Sequence, residues 1–350
     1  MARAETALEA VGFLLIPQFS MMAFFSAVEP LRIANRLAGR SLYRWSAYSP
    51  DGQPVEASNG MCLMVEGGIE ALAGLPSLFV CAGFAPERHE SRRLLAALRT
   101  LSRQGVTLGA LDTGAHVLAK AGLMDGVRVT MHWEAVPAFR EEFPDIEVSD
   151  ALFEVGRHRI TCAGGTAALD MMLDLIARRH GLELATAVSE QLIHASIRER
   201  DAHQRMHVSN RLGITDRRIL KIVELMEANL EVPLDNEALA RASGVSARQL
   251  ERLFRAHLAT TPYGYYLRLR LERARHLLRQ TDMPILEVAI ATGFSSASCL
   301  SRSYRALFSL PPSRDRHESF DSGITPAARG ATPMAVSHVP AIPARRSGVA

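Results

Sequence analysis

The sequence has few cysteines and no long hydrophobic run. Its four cysteines, spread over 350 residues, form no CxxC pair, which argues against a disulfide framework or a structural zinc site. No apolar run approaches the roughly 20 residues needed to cross a bilayer. The first run, residues 11–17, ends in Pro17 and follows Glu5 and Glu9 rather than a basic segment, so it does not predict a signal peptide. These absences indicate a protein of the reducing cytoplasm without a membrane partner.

Groups of metal ligands are also lacking. His203 and His207 have the i, i+4 spacing of a metal-binding pair, but they lie in a polar segment with no third ligand nearby. Cys162 falls within a predicted strand, which is typical of an inert buried thiol. We therefore expect neither a metal site nor a cofactor.

The chain does contain enough apolar residues for two domain cores, since 48% of its residues are hydrophobic and 22% are charged. Runs typical of buried strands alternate with helical patterns from residue 8 to about residue 180. The strands are expected at 11–17, 78–83, 106–111 and 159–165, and the helices at 27–39, 89–105, 116–122 and 166–181. This alternation predicts a doubly wound α/β domain, in which ligands bind at the carboxyl ends of the strands.

Another helical pattern, residues 182–198, completes this first domain, which we place at 8–199. Its apolar stripe is compatible with docking on the domain's own sheet and equally with a dimerisation surface. The polar residues 200–215 show no periodicity and are predicted to be the interdomain linker. Residues 317–350 are rich in Pro, Ala, Gly and Ser and are predicted to be a disordered tail.

The second domain, residues 216–316, contains one pattern twice: an apolar helix, a glycine turn and a second helix that begins with serine. The first copy, ALARASGVSARQLERLF, includes Gly244 and Ser246, and the second, EVAIATGFSSASCLSRSYRALF, includes Gly293 and Ser295. Residues 263–278 form a helix between them. The tandem predicts an all-α double helix-turn-helix domain that enters two adjacent major grooves of double-stranded DNA.

The second helix of each copy presents small and basic side chains on its exposed face. The candidate DNA contacts are Arg248, Gln249, Arg252 and Arg255 in the first copy and Ser298, Ser301, Arg302 and Arg305 in the second. Guanidinium groups bind phosphates or guanine edges, and small residues let the helix backbone approach the groove. Residues 216–316 contain sixteen Lys and Arg against eleven Asp and Glu, so the basic excess lies where DNA binding is predicted. Ordinary amphipathic helix pairs with solvated arginines are the alternative.

These features resemble the DNA-binding domain of the AraC family, including the segment GFSSASCLSRSYRALFSLPPSRDR. The first domain resembles the PfpI-like domain of the class I glutamine-amidotransferase superfamily in two stretches, VGFLLIPQFSMMAFFSAVEPLRIANRL and GALDTGAHVLAKAGLMDGVRVTMHW. Together they resemble the GlxA subfamily of AraC regulators. The resemblance implies a flavodoxin-like domain that senses a small metabolite.

The predicted strand that ends at Asp112-Thr113-Gly114 is followed at once by a helix, so Asp112 lies on a tight elbow. Catalytic PfpI-like proteins place Cys at this position, usually followed by His. Here Asp112 and Thr113 replace them, so the thiolate nucleophile and the adjacent base are both absent. We therefore expect no catalytic residue and no enzyme.

The resemblance also implies a ligand pocket at this elbow. Asp112 would supply a fixed negative charge, Glu29 corresponds to a pocket glutamate, and Trp133 would offer an aromatic face, with Thr113 and His132 beside them. Such a pocket suits a quaternary or substituted ammonium, held by charge and cation–π attraction. Relatives in the subfamily respond to glycine betaine, carnitine or arginine, and this chain resembles the betaine and carnitine type. Asp112 could instead accept hydrogen bonds from the helix start, and Trp133 and His132 could be core residues.

The sequence thus predicts a sequence-specific DNA-binding transcriptional regulator, expected to be an activator that works with RNA polymerase, with a homodimer as one arrangement. Two alternatives differ in class. The first is a PfpI-like amidase or hydrolase fused to a DNA-binding module. The second is a constitutive DNA-binding dimer that takes no ligand.

Overall fold

The computed structural model describes residues 8–281 and 283–321, which form an α/β domain followed by a helical domain. Within these residues no helix combines the length and the apolar character that a membrane crossing requires. The elements of the α/β domain, in chain order, are β1 (Glu9–Leu15), α1 (Met21–Ala38), β2 (Tyr43–Tyr48), β3 (Val55–Glu56), β4 (Cys62–Leu63), β5 (Ser77–Cys81), α2 (Arg92–Arg103), β6 (Thr107–Leu111), α3 (Gly114–Lys120), α4 (Val136–Glu142), β7 (Phe153–Val155), β8 (Arg159–Cys162), α5 (Ala167–His180) and α6 (Leu182–Gln191).

One six-stranded sheet, in the order β2-β1-β5-β6-β8-β7, organises the α/β domain. Neighbouring strands are parallel except β7, which runs antiparallel to β8. All five residues of β5 are buried, because helices cover both faces of the sheet. Residues of α1, α5 and α6 pack on one face, and residues of α2, α3 and α4 pack on the other. The predicted doubly wound, flavodoxin-like fold is confirmed.

The structure corrects the sequence prediction at the end of this domain. Helix α6 ends at Gln191 rather than at residue 198, and Ile193 is 93% exposed. The buried carboxylate of Asp170 explains the early end, because it accepts hydrogen bonds from His194 at 2.9 Å and from the backbone N–H of Arg198 at 2.8 Å. These bonds fasten the segment to α5 as a loop. Val188 is buried in the domain's own core, so this part of the apolar stripe docks on its own domain.

The helical domain starts earlier than expected. Its elements are α7 (Val208–Leu212), α8 (Arg217–Ala228), α9 (Asn236–Ser243), α10 (Ala247–Leu258), α11 (Pro262–Gln280), α12 (Ile285–Ala291), α13 (Ala297–Phe308) and α14 (Pro312–Asp321). Helix α7 lies inside the predicted linker, and Val208 and Ile214 are buried against α8 and α10. The unpatterned part of the linker is therefore shorter than residues 200–215. Helix α14 runs five residues past the predicted start of the tail, and residues 322–350 lie outside the described residues.

Helix α11 joins two small cores, as the connecting helix was predicted to do. Its 19 residues span roughly 28 Å at 1.5 Å per residue. Tyr266, near its start, belongs to the core of α7–α10, whereas Leu277 and Leu278, near its end, belong to the core with α12 and α13. One rigid element thus carries both helix-turn-helix units.

The two turns use the predicted glycines but differ in length. Gly244 and Gly293 both adopt left-handed backbone, with φ of 71° and 72°. Ser246 caps α10, as predicted. Helix α13 is capped by Ser296 rather than by Ser295, and the Ser296 hydroxyl accepts from the backbone N–H of Cys299. The spacing from the glycine to the capping serine is therefore one residue longer in the second turn, and Phe294 is buried in the second core.

A buried carboxylate holds the last described helix in place. Asp315 of α14 is fully buried and accepts hydrogen bonds from Arg275 and Arg279 of α11 and from the hydroxyl of Tyr304 in α13. Burial alone would raise the pKa of Asp315, but the hydrogen bonds from Tyr304 and the two arginines outweigh it and lower this pKa. The ionised carboxylate therefore contributes stability above its ordinary pKa, and this contribution is lost as pH falls through the lowered value.

Replacing this carboxylate should destabilise the helical domain selectively. We expect Asp315→Ala to lower its free energy of unfolding by about 3–5 kcal/mol, because two arginines lose their buried partner. Urea unfolding followed by circular dichroism measures the loss. Both tryptophans, Trp45 and Trp133, lie in the α/β domain, so their fluorescence serves as an internal control. An Asp315→Ala effect no larger than that of Glu231→Ala, at an exposed acid of the same domain, would contradict this role.

Candidate functional site

The elbow predicted from the sequence is present at the carboxyl end of β6. Asp112 has a φ of 61°, a left-handed conformation that is uncommon for a residue other than glycine. Its backbone N–H donates to the carbonyl of Cys162 at 3.0 Å, and Thr113 Oγ1 donates to the carbonyl of Gly83 at 2.7 Å. A Cβ on Gly164 would lie 2.6 Å from Asp112 Oδ2, so the carboxyl group packs directly on glycine backbone. The fold keeps the geometry of a nucleophile elbow with a carboxyl group in its place.

Burial changes the charge expected at this elbow. It raises the pKa of Asp112 to about 7, and the nearby carboxylate of Glu134 raises it further, while hydrogen bonds from the Ser20 hydroxyl and the Thr113 backbone oppose the change. Burial thus favours the neutral form of the carboxyl group at the position where the sequence predicted a fixed negative charge.

Glu29 does not reach the elbow in this structure. It lies within α1 and pairs with Arg32 at 2.6 Å, on the surface. Glu29 lies eight positions after the first residue of α1, which corresponds to roughly 12 Å along the helix. Ser20, the N-cap of α1, takes the expected place, since its side chain hydrogen-bonds to Asp112. Glu29 is the only acidic residue of α1, and its sequence position alone does not distinguish a pocket residue from a surface one.

Thr113 is adjacent to Asp112 in the chain, and His132 contacts Asp112 through its backbone. The backbone N–H of His132 donates to the carbonyl oxygen of Asp112 at 3.4 Å, and the His132 and Trp133 rings are 5.7 Å apart. Burial lowers the pKa of His132, which keeps the imidazole neutral near pH 7. Trp133 is 37% exposed, and the guanidinium of Arg205 lies 4.4 Å from the centre of its ring. The indole thus holds a cation supplied by the chain itself.

A small cleft of about 40 Å³ opens beside Thr113, and His116 and Met131 contribute to its walls, whereas Asp112, His132 and Trp133 do not line it. His116 lies between two carboxylates, with Nδ1 2.7 Å from Glu90 and Nε2 2.8 Å from Glu142. Burial alone would lower the pKa of His116, but these hydrogen bonds raise it to about 9, so the side chain is an imidazolium at neutral pH. The sequence did not reveal this cluster, because each carboxylate is 26 residues away from His116.

Neither of the other candidate groups forms a reactive centre. Burial raises the pKa of the Cys162 thiol to about 12, which leaves it protonated. His203 contacts Asp150 at 3.1 Å, and His207 caps α7 by accepting from Ser209. Among the described residues, no group of three or more His, Cys, Asp or Glu side chains is arranged to hold a metal ion.

The recognition helices α10 and α13 expose the predicted arginines. Within the described part of the chain no ion pair involves Arg248, Arg252, Arg255, Arg302 or Arg305, and all five are exposed. The arginines of α11 differ, since Arg275 and Arg279 pair with Asp315 and Arg268 pairs with Glu272. Basic side chains that do not stabilise the fold are thus concentrated on the two helices predicted to read DNA.

The polar candidates on these helices are less uniform. Gln249 is exposed, but its Oε1 accepts from the backbone N–H of Ser246 in a capping box, so this oxygen already stabilises the helix start. Ser298 is exposed, whereas Ser301 is half-buried. Gln249 therefore has only its amide N–H groups available to DNA.

Comparisons with known proteins agree with this two-part architecture. The DJ-1/PfpI family model matches residues 10–178, and a helix-turn-helix domain model matches residues 239–318. The chain is 53% identical to the HTH-type transcriptional regulator CdhR of Pseudomonas aeruginosa over 304 residues, which cover 87% of this chain and 90% of CdhR.

Two further relatives extend the comparison. Identity to the HTH-type transcriptional regulator GbdR of Pseudomonas aeruginosa is 46%, over 88% of this chain and 84% of GbdR. Identity to the HTH-type transcriptional regulator GlxA of Rhizobium meliloti is 42%, over 88% of this chain and 96% of GlxA. The chain therefore belongs to the AraC family of transcriptional regulators, in the GlxA subfamily that joins a DJ-1/PfpI domain to an AraC-type helix-turn-helix domain.

Proposed function

We propose that this regulator is an activator whose α/β domain binds a small quaternary or substituted ammonium compound, such as glycine betaine or carnitine. The observation that carries the proposal is an indole that already holds a cation and that directly follows His132, whose backbone N–H is bonded to the carbonyl oxygen of Asp112. Asp112 supplies charge, and the guanidinium of Arg205, 4.4 Å from the ring centre of Trp133, indicates that this ring is a suitable cation–π partner. Thr113 and His132 complete the proposed contact set. Glu29 leaves it because of its pairing with Arg32.

The chemistry at the elbow supports a binding role rather than catalysis. Asp112 replaces the thiol nucleophile, and the buried Cys162 thiol is protonated at neutral pH. His116, the nearest histidine along the helix, is already an imidazolium between two carboxylates and has no capacity to accept a proton. The elbow thus lacks both the nucleophile and the base that hydrolysis by the superfamily's usual route requires.

The exposed arginines of α10 and α13 are proposed to contact two adjacent major grooves, held at a fixed separation by α11. Recruitment of RNA polymerase and a homodimeric arrangement complete the proposal. A regulator that acts on promoters works in the compartment that contains the DNA, so the proposal includes the cytoplasmic location expected from the sequence.

Removing a recognition arginine should weaken DNA binding in a way that identifies its contact. We expect Arg252→Ala or Arg302→Ala to weaken specific binding by about 1–3 kcal/mol if the residue reads a base, or to lower the salt slope by about one if it contacts phosphate. Fluorescence anisotropy with the chain's own upstream DNA, at several salt concentrations, measures both quantities. The control is Arg92→Ala, at an exposed arginine of α2 in the other domain. Affinity and salt slope that match the control in both variants would rule out these contacts.

Glycine betaine should stabilise the α/β domain in a pH-dependent manner. A ligand at 100 times its dissociation constant adds about 2.7 kcal/mol, which raises Tm by about 5–10 °C for a domain of this size. Ionisation of Asp112 strengthens the attraction for a cation, so we expect affinity to rise by up to about tenfold between pH 6 and pH 8. Tryptophan fluorescence follows the transition, and Asp112→Asn should bind weakly at every pH. No shift with glycine betaine, carnitine or arginine would contradict the proposed effector class.

Asp112 should also make the empty protein less stable at higher pH. Its folded pKa, about 7, exceeds the ordinary value of 3.8, so wild-type stability falls as pH rises between these values, by an amount on the order of 4 kcal/mol. Asp112→Asn does not titrate and tolerates left-handed backbone. The Tm difference between Asp112→Asn and wild type should therefore grow in favour of the variant from pH 5 to pH 8. A constant difference over this range would show that burial does not control the Asp112 pKa.

A further inference from the structure

Residues 200–205, at the start of the predicted linker, are fastened to the α/β domain. The backbone N–H of Leu152 donates to the carbonyl of Arg200 at 2.9 Å. The side-chain amide of Gln204 donates to Thr130 Oγ1 at 3.0 Å. This part of the linker follows the surface of the first domain and is not a free tether.

Immediately after these residues, the chain begins to pack on the helical domain. Helix α7 begins at Val208, which is buried in the core of the helical domain, and Arg211 pairs with Glu227 of α8 at 2.8 Å. Only residues 206–207 separate the two modes of attachment. Arg205 is the last side chain held by the first domain, through Trp133, and it also lies 3.7 Å from Glu227. One arginine therefore connects the two domains.

The ring that holds Arg205 is part of the proposed effector site. Trp133 follows His132, whose backbone N–H is bonded to the carbonyl of Asp112. A few residues later, Ala138 of α4 is buried in the second core of the helical domain, beside Leu271 of α11. The segment from the elbow to α4 thus supplies both the indole and a surface on which the helical domain rests.

We propose that Arg205 is a built-in occupant of the effector's cation site, which a bound ammonium displaces, releasing the linker from the α/β domain. This inference rests on the proposed function. Two cations brought to one indole repel each other, so the ammonium and the guanidinium compete. Arg205 already contacts Glu227 of the helical domain at 3.7 Å, so after displacement from the indole it keeps this partner and loses only its contact with the α/β domain. The bound and empty states then differ in a named contact, which is what a ligand needs to shift a conformational equilibrium.

Competition with Arg205 also sets the sensitivity of the response. A ligand that must displace an internal group binds more weakly than it would bind the open site. Its apparent dissociation constant is that of the open site divided by the fraction of molecules in which the site is open. The indole contact keeps the linker attached when effector is scarce. Replacing Arg205 by alanine should therefore strengthen effector binding and also loosen the linker. A simple loss of stability would not produce both effects together.

The chain offers a direct probe, since Trp45 and Trp133 are its two tryptophans. Trp45→Phe leaves Trp133 as the single emitter in the full-length protein. Arg205→Ala is then compared with Arg200→Ala, which removes an exposed arginine from the same segment. Each variant is first checked for an unchanged Tm. Acrylamide quenching reports coverage of the indole, glycine betaine titration reports affinity, and hydrogen exchange reports protection of residues 200–207.

We expect Arg205→Ala to increase quenching of Trp133 about twofold and to strengthen glycine betaine binding about threefold to tenfold. Without ligand, hydrogen exchange of residues 200–207 should be faster in this variant than in the parent protein, which carries only Trp45→Phe. Saturation of the parent with glycine betaine should speed up exchange of the same residues. Arg200→Ala should behave as the parent in all three measurements.

Unchanged quenching, or glycine betaine binding that is equal or weaker in Arg205→Ala, would overturn the displacement proposal; weaker binding would make Arg205 a ligand contact. Failure of the underlying function has a different signature, because glycine betaine would then bind to none of the variants, including the parent. The two failures are therefore distinguishable in one set of proteins.

Discussion

The left-handed backbone at Asp112 is the constraint around which the α/β domain is arranged. With β6 ending at Leu111 and α3 beginning at Gly114, only two residues make the turn, and they point a side chain into the site. The Asp112 carbonyl accepts a hydrogen bond from the backbone N–H of His132, and Trp133 is the next residue in the chain. The segment after Trp133 carries the surface that meets the helical domain. A local strain at the end of one strand is thus connected to the position of the DNA-binding half.

An elbow that serves a nucleophile in an enzyme can serve recognition when its side chain changes. A thiolate there would attack a carbonyl, whereas the buried carboxyl group of Asp112 only exchanges a proton near pH 7. A cationic ligand would favour its ionised form and release that proton on binding. The neutral imidazole of His132 and the indole of Trp133 would complete the proposed site, because neither side chain repels a cation. Near the elbow, the positive charge of His116 is compensated by the carboxylates of Glu90 and Glu142.

Local patterns predicted the parts of the structure that depend on local interactions. The buried strands, the elbow, the Gly244 and Gly293 turns and the exposed arginines of α10 and α13 follow from periodicity, backbone preference and charge. The errors arose where contacts distant in sequence decide the outcome. Hydrogen bonds to Asp170 end α6 early, and the hydroxyl of Ser20 takes the place assigned to Glu29. The contact of Arg205 with Trp133 joins positions 72 residues apart, and no pattern in either stretch indicates it.

In the proposed function, occupancy of the elbow site and DNA binding are coupled. Thermodynamic linkage requires the coupling to be reciprocal, so DNA must change effector affinity by the same factor by which effector changes DNA affinity. The most direct test is isothermal titration of glycine betaine into the full-length protein, free and saturated with its upstream DNA. We expect two different dissociation constants, with a ratio equal to the change that glycine betaine produces in DNA affinity. Equal dissociation constants for the free and the DNA-bound protein would contradict it.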